Sequence, residues 1–204
     1  LIARRLAHLN QELTELNIPF LYEEVDEFSD CTAVISQWAQ LLNAKSVMAN
    51  IHYEVNEQAL DRKVSDALNK SGASFELLHD KCVHAPTTVL NKKGEYFKVF
   101  TPFKRAWLQK FQLPIVTKPH PQQMLSRQTL KAIEGKCFDN NFPFSYPRES
   151  SEHWLASTSD ILNQLREFAR ERSNEYRVQR DFPATDGTSQ LSPYLAIGAL
   201  SPVR

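Results

Sequence analysis

The sequence predicts an α/β parallel-sheet (Rossmann-like) domain over residues 1–112, a connector over residues 113–150 and the beginning of an all-α domain over residues 151–204. Three observations predict this organisation. Helical and strand-like patterns alternate as far as residue 79, which favours a parallel sheet with right-handed crossovers. Prolines then recur and periodicity fades across the connector, which is typical of a link between domains. After the connector, helical patterns return without strands.

The first elements follow from the spacing of apolar residues. Apolar side chains recur at helical spacing through the opening stretch, LIARRLAHLNQELTELN. These side chains are Ile2, Leu6, Leu9, Leu13 and Leu16. The stretch IPFLYEEV (18–25) is short, apolar and bounded by turns, so we predict a strand there. Asp30 is predicted to cap the helix that follows.

Two more strands flank a second crossover helix. KSVMANI (45–51) and SFELLH (74–79) are predicted as buried strands. The helix between them lies in EVNEQALDRKVSDALNKSG (54–72), where Gly72 is placed to end it. Three strands make a thin sheet, so at least one more strand is expected upstream of Leu1.

Later helices are predicted from capping residues. Thr101 is expected to cap a helix with Pro102 at its first position, and Ser157 or Ser159 to cap the helix around Ile161. The chain opens inside a helix without an initiator Met and closes on SPVR, where Ser201 resembles a helix cap. We therefore expect the chain to be a fragment of a longer protein.

Composition excludes few classes of function. The 204 residues contain 24 Lys+Arg and 24 Asp+Glu, so a nucleic-acid partner is not indicated by net charge and has to be argued from local sites. Cys31, Cys82 and Cys137 form no CxxC pair, which fits a reducing compartment. The sequence has neither an apolar run of membrane-spanning length nor a visible signal peptide. We therefore expect a cytoplasmic protein without a membrane partner.

Two short motifs are candidate sites near the predicted sheet. HDKCVH (79–84) carries two histidines and a cysteine, but zinc would need a fuller ligand set, so no metal site is predicted. Asn56 and Glu57 follow the second strand, at the sheet edge where open parallel sheets bind ligands. Together they could hold a heterocycle with an amino group and a ring N–H, such as a pterin. The alternative is a favourable acidic helix start, and on spacing alone that reading has the advantage.

The C-terminal stretch leaves two interpretations open. Thr188, Ser189 and Ser192 are helix-capping residue types, and Ser192-Pro193 resembles a cap followed by a first helical residue. Unpaired N–H groups at helix starts also suit a phosphate, and Gly187 allows a close backbone approach. Capping and phosphate binding are equally supported by these residues. Arg180 could contact a phosphate or belong to a solvated helix face.

Three stretches, in order along the chain, resemble the photolyase/cryptochrome family. HYEVNEQALDRKV is similar to its antenna-site helix, and KGEYFKVFTPFKRAWL to the loop and helix after its sheet. EYRVQRDFPATDGTSQLSPYLAIGALSP resembles the start of its flavin-binding helical domain. Within the family, the chain looks closest to bacterial class I cyclobutane pyrimidine dimer photolyases with a folate antenna.

The resemblance implies an antenna domain, a connector and the start of an all-α FAD-binding domain. It also implies FAD and 5,10-methenyltetrahydrofolate as cofactors, double-stranded DNA containing pyrimidine dimers as partner, and a monomer. In such enzymes light-excited reduced FAD donates an electron to the dimer, whose ring splits before the electron returns. The rivals are a cryptochrome with a signalling role and a light-independent α/β nucleotide-binding protein.

The resemblance also assigns roles to individual residues. FAD contacts are implied for Tyr176, Thr188, Ser189, Gln190, Leu191 and Ser192. Folate contacts are implied for Asn56 and Glu57, and a contact with the DNA backbone for Arg180. No catalytic residue is implied within this chain, and little tight flavin binding or activity is expected of the 204 residues alone. The family often has Arg at the position of Gln190. Contacts made by the backbone would persist with Gln at this position, but a contact made by a charged side chain would not.

Overall fold

The computed structural model describes residues 1–113, 118–141 and 149–202. The chain is rich in helices, and the described part contains one two-stranded parallel sheet. The α-helices are α1 (Ile2–Glu15), α2 (Cys31–Leu41), α3 (Val55–Lys70), α4 (Phe100–Lys110), α5 (Arg127–Ala132), α6 (Thr158–Glu167), α7 (Tyr176–Gln179) and α8 (Ser192–Ala196). The strands are β1 (Ser46–Asn50) and β2 (Ser74–Leu78). A 3-10 turn (Phe28–Asp30) precedes α2, and a π-helical turn (Phe168–Arg172) continues α6.

The chain forms two compact units. The first, called here the helical unit, contains the described residues of Leu1–Tyr22, Pro119–Leu125 and Gly135–Ser201. The second, called the sheet unit, contains those of Glu23–Lys118, Ser126–Glu134 and Pro202–Arg204.

The sheet unit is built around β1, β2 and the helix that connects them. β1 and β2 pair in parallel with Ser46 opposite Ser74, and α3 makes the crossover. Val64 and Leu68 of α3 are almost completely buried and pack with Ala39 of α2. Burying a Val or Leu side chain contributes about 1.5–3 kcal/mol, so the apolar face of α3 is a main source of stability in this unit. Gly72, at φ +82°, ends the helix as predicted.

The helical unit has a separate core under its C-terminal helices. Ile161, Leu191, Tyr194 and Leu200 are buried together. The Tyr194 hydroxyl accepts a hydrogen bond from the Leu155 N–H at 2.9 Å, so the polar tip of this buried ring is satisfied. Leu191, one of the candidate site residues, is therefore anchored in the core.

The predicted strand over residues 18–25 is wrong. Within the described ranges, this stretch contains only an isolated antiparallel bridge between Leu21 and Cys137. Phe20 accepts a backbone hydrogen bond from Phe138, and Tyr22 donates one to Lys136. A short apolar stretch indicates extended backbone, but its partner decides whether it becomes a strand of the sheet, and here the partner is the segment 136–138.

The capping predictions have mixed outcomes. Ser157 caps α6, because its hydroxyl accepts from the Asp160 N–H at 3.1 Å. The cap predictions for Thr101 and Ser192 are wrong, since α4 begins two residues and α8 one residue earlier in the chain than predicted. The helix expected after Ser201, and the parts of the connector at 114–117 and 142–148, fall outside the described residues. In the described part of the chain, the helices are too short or too polar to cross a membrane.

A charged cluster in the helical unit leads to a pH prediction. Glu12 accepts hydrogen bonds from Arg5 at 3.2 Å and from the Thr158 hydroxyl at 2.7 Å. Burial alone would raise the pKa of Glu12, but the hydrogen bonds from Arg5 and Thr158 and the Arg5 charge lower it overall. A lowered pKa stabilises the fold above the ordinary Glu range, and this contribution is lost as the pH falls through the lowered pKa.

Glu12→Gln is therefore expected to reduce stability at pH 7 and to reduce it less at pH 3. The effect should stay within about 1 kcal/mol, because the Glu12 side chain is partly exposed to solvent. Urea unfolding at both pH values measures the difference. Glu15→Gln, one turn along α1, is the control, and an equal loss at pH 7 and pH 3 in Glu12→Gln would contradict the role of its charge.

Candidate functional site

The segment Gly187–Ser192 joins the turn after α7 to the start of α8. Gly187 is buried against α7, and a Cβ built on it would lie 2.5 Å from the Gln179 Cβ and 2.9 Å from the Gln179 carbonyl oxygen. Only glycine permits this approach without displacement of the backbone. Together with the buried Leu191, this contact fixes both ends of the segment.

The middle of the segment has an unusual backbone. Gln190 has φ +52°, a left-handed conformation that is uncommon for residues other than glycine. The Ser189 carbonyl accepts a hydrogen bond from Gln164 Nε2 at 2.7 Å. Within the described part of the chain, the backbone N–H groups of Thr188, Ser189 and Gln190 have no protein acceptor. Successive free N–H groups beside the exposed Thr188 and the half-buried Ser189 form a surface suited to an anion.

Tyr176 begins the short helix α7 that precedes this segment, and Arg180 follows the last residue of that helix. Tyr176 is 42% exposed and its ring packs edge-to-face with Phe168, with 6.1 Å between ring centroids. The Arg180 guanidinium lies 5.9 Å from the Tyr176 ring centroid, and its Nε is 3.6 Å from Asp181. Arg180 is half-exposed and carries its charge on the surface of the helical unit.

Asn56 and Glu57 lie in the first turn of α3, beyond the carboxyl end of β1. A cavity of about 770 Å³ opens in the sheet unit beside β1. Glu57 lines this cavity, whereas Asn56 is exposed outside its lining. The two side chains are neighbours in sequence but point in directions about 100° apart around the helix. The structure thus places one of the two folate candidates in the wall of a cavity.

The polar rim of this cavity contains an ion pair that the sequence analysis did not identify. Glu54 and Lys81 line the cavity, and their charged groups are 3.4 Å apart. Hydrogen bonds from the Glu54 and Tyr53 N–H groups lower the pKa of the exposed Glu54 carboxyl, and Lys81 adds to this effect. Lys81 comes from the loop after β2, so the carboxyl ends of both strands supply charged groups to the rim.

The stretch HDKCVH contributes to local packing. His79 Nδ1 is 2.9 Å from the Tyr53 hydroxyl, and the two rings are stacked. Burial and the neighbouring Cys82 raise the pKa of Tyr53. Among the described residues, no three His, Cys, Asp or Glu side chains are arranged to hold a metal ion.

The sequence alone also does not identify Arg172 and Asp186 as candidate site residues. Arg172 ends the π-helical turn, and its guanidinium contacts both the carboxylate and the main-chain oxygen of Asp186. Asp186 in turn accepts a hydrogen bond from Gln190 Nε2 at 3.2 Å. Since a mixed-charge helix such as this one contains several arginines, no spacing rule distinguishes Arg172 from its neighbours.

Comparison with known proteins adds independent information. The family model described as DNA photolyase matches residues 1–124. The deoxyribodipyrimidine photo-lyase of Vibrio cholerae is 46% identical over 201 residues, which cover 98% of this chain and 42% of that protein. The chain therefore spans about two fifths of the length of this curated relative.

Solved structures share the fold at lower sequence identity. A bacterial class III photolyase from Agrobacterium tumefaciens aligns with a TM-score of 0.72 and 22% identity, covering 98% of this chain and 41% of the other. A cryptochrome from Synechocystis aligns with a TM-score of 0.63 and 20% identity, covering 84% of this chain and 36% of the other. At these identities the likeness concerns the fold alone.

Proposed function

The chain belongs to the DNA photolyase family, and from this premise we propose that the full-length protein is a deoxyribodipyrimidine photo-lyase. Its reaction would be the light-driven repair of cyclobutane pyrimidine dimers in DNA. The observation that carries the proposal is 46% identity with the Vibrio cholerae enzyme across 98% of this chain. Because the chain spans 42% of that relative, the activity is proposed for the full-length protein and not for these 204 residues alone.

We propose that the segment Gly187–Ser192 and Tyr176 contribute to an FAD site. Bound FAD would supply the light-driven electron transfer to the dimer. The residues of this chain would bind and orient it: Thr188, Ser189 and Gln190 through free backbone N–H groups and side chains, Leu191 and Ser192 at the end of the segment. The close packing of Gly187 and the left-handed Gln190 support this, because they give the segment one fixed conformation.

A folate antenna, 5,10-methenyltetrahydrofolate, is proposed at the start of α3. Glu57 would accept hydrogen bonds from the amino group and ring N–H of the pterin, and Asn56 would contact the edge of the pterin ring. The position of Glu57 in the cavity wall beside β1 supports this assignment. Residues 1–112 would then form the antenna domain, residues 113–150 the connector and residues 151–204 the beginning of the FAD domain.

Double-stranded DNA containing a pyrimidine dimer is the proposed partner of a monomeric protein. Photolyases extrude the damaged nucleotides from the duplex, and a poorly paired dimer costs less to extrude than intact bases. The exposed Arg180 would contact a backbone phosphate. This contact would contribute affinity without sequence readout, as a repair enzyme for scattered lesions requires.

A cryptochrome-type signalling role is the second candidate. The likeness to the Synechocystis cryptochrome favours it, since the same fold serves both functions. The first test is the absorbance spectrum of the full-length protein purified in the dark. A flavin spectrum is expected for both candidates, and its complete absence would contradict both.

Arg180→Ala is expected to weaken DNA binding by the full-length protein and to reduce the salt slope of log K by about one phosphate contact. Fold stability should change by no more than about 1 kcal/mol, because the pair with Asp181 is exposed. Binding titrations across a salt series measure the slope. Arg62→Ala, on α3 of the sheet unit, is the matched control. A slope in Arg180→Ala equal to that of the unmodified protein would reject the phosphate contact.

A further inference from the structure

The π-helical turn brings one arginine side chain against Asp186, the residue that precedes the segment Gly187–Ser192. Such turns are rare, and they frequently occur at functional sites because they reorient the side chains that follow. Arg172 is the last residue of the turn, and 22% of its side chain is exposed. By contrast, 75% of the Arg170 side chain in the same turn is exposed, and it pairs only with its neighbour Glu171 among the described residues.

The surroundings of Arg172 hold its guanidinium in one place. Its Nη1 contacts the Asp186 carboxylate and donates to the Asp186 main-chain oxygen at 3.3 Å. Its Nη2 is 3.9 Å from Glu167, and the guanidinium carbon is 5.7 Å from the centroid of the Phe168 ring. Two carboxylates thus face one positive charge, and the cluster as a whole is negative. This arrangement does not favour the binding of an additional anion by Arg172. It therefore argues against a direct contact between Arg172 and a phosphate.

Asp186 connects Arg172 to the middle of the segment. One carboxylate oxygen contacts Arg172, and the other accepts from Gln190 Nε2 at 3.2 Å. Gln190 has φ +52°, a sparsely populated conformation that persists only where the surroundings hold it. Two contacts hold it: its side chain donates to Asp186, which Arg172 contacts, and the preceding carbonyl, of Ser189, accepts from Gln164 of α6.

We propose that Arg172 is a positioning residue that fixes Gln190, through Asp186, in the conformation that presents the backbone N–H groups of residues 188–190 to FAD. This deepens the proposed function and rests on it. Arg172 acts on the shape of the segment, and Asp186 transmits its effect. Truncation of Arg172 should therefore loosen the segment even in protein that carries no flavin.

The test uses Arg172→Met in the full-length protein. Backbone NMR order parameters of residues 187–192 in the flavin-free protein should fall from about 0.85, typical of rigid backbone, toward about 0.6, typical of flexible backbone. FAD affinity, measured by fluorescence titration, should fall about tenfold, as expected from the loss of one charge-assisted hydrogen bond. Arg170→Met is the matched control: its order parameters should equal those of the unmodified protein, and its FAD affinity should remain within about twofold.

Asp186→Asn provides a second, independent variant should Arg172→Met fold poorly. It should lower the order parameters of residues 187–192 to a similar extent, and the double variant should be no worse than either single variant, because both substitutions break one connection. Arg172→Lys should give an intermediate effect, since a lysine keeps the charge but loses the planar fork.

Unchanged order parameters of residues 187–192 in Arg172→Met and Asp186→Asn, or fully additive effects in the double variant, would overturn the positioning role. If the unmodified protein bound no flavin, the proposed function would fail. The order parameters of the flavin-free protein would still decide whether Arg172 orders the segment. The two failures are therefore distinguishable.

Discussion

Gly187→Ala is expected to weaken FAD binding by the full-length protein at least about tenfold and to destabilise it by about 1–3 kcal/mol. The added Cβ would lie 2.5 Å from the Gln179 Cβ and 2.9 Å from two backbone atoms of Gln179. Backbone atoms at that distance cannot turn away as a flexible side chain can. The segment would therefore move off α7, and residues 188–190 would move with it.

The comparison variant is Gly94→Ala in the sheet unit. Gly94 has φ +78° and open space around its Cβ position, so the substitution introduces backbone strain of about 1 kcal/mol without a clash. FAD titration and urea unfolding of both variants separate the two effects. Tight FAD binding by Gly187→Ala, at the affinity of the unmodified protein, would remove the segment from the flavin site.

Glu57→Ala is expected to reduce folate affinity by about 10–100-fold, because hydrogen bonds to a charged group contribute about 1.5–3 kcal/mol. Repair driven by light that the antenna absorbs should fall accordingly. Repair under direct excitation of the flavin should survive, since Glu57 belongs to the sheet unit and the flavin candidates to the helical unit. Folate occupancy is measured by absorbance and by extraction of the bound chromophore.

Asp66→Ala is the matched control for Glu57→Ala, because it removes an exposed carboxylate from the same helix two turns further on. Its folate content should equal that of the unmodified protein. Full folate occupancy in Glu57→Ala would contradict the antenna assignment and leave the flavin assignment unaffected.

Long periodic elements could be predicted from the sequence, and elements that depend on a partner could not. The helices α1 and α3 have apolar residues at helical spacing over several turns, and the strands β1 and β2 are short apolar stretches on either side of α3. Residues 18–25 have the same local pattern as those strands. Their hydrogen bonds nevertheless go to residues 136–138, more than a hundred positions away, and no local pattern contains that information.

The candidate site shows the same limit. Gly187, Thr188 and Ser189 could be predicted as candidates from the sequence, because a glycine and hydroxyl residues precede a helix start there. The contact of Gly187 with Gln179 and the left-handed backbone of Gln190 required the structure. Arg172 could not be identified, because a π-helical turn shifts side chains out of the spacing from which helix faces are predicted.

Blue-light repair of a thymine-dimer oligonucleotide by the full-length protein, with a dark control, tests the central claim most directly. The family membership and the candidate sites predict restoration of intact thymines in the light and none in the dark. Bound flavin without light-dependent repair would contradict the photolyase assignment and favour the cryptochrome-type function.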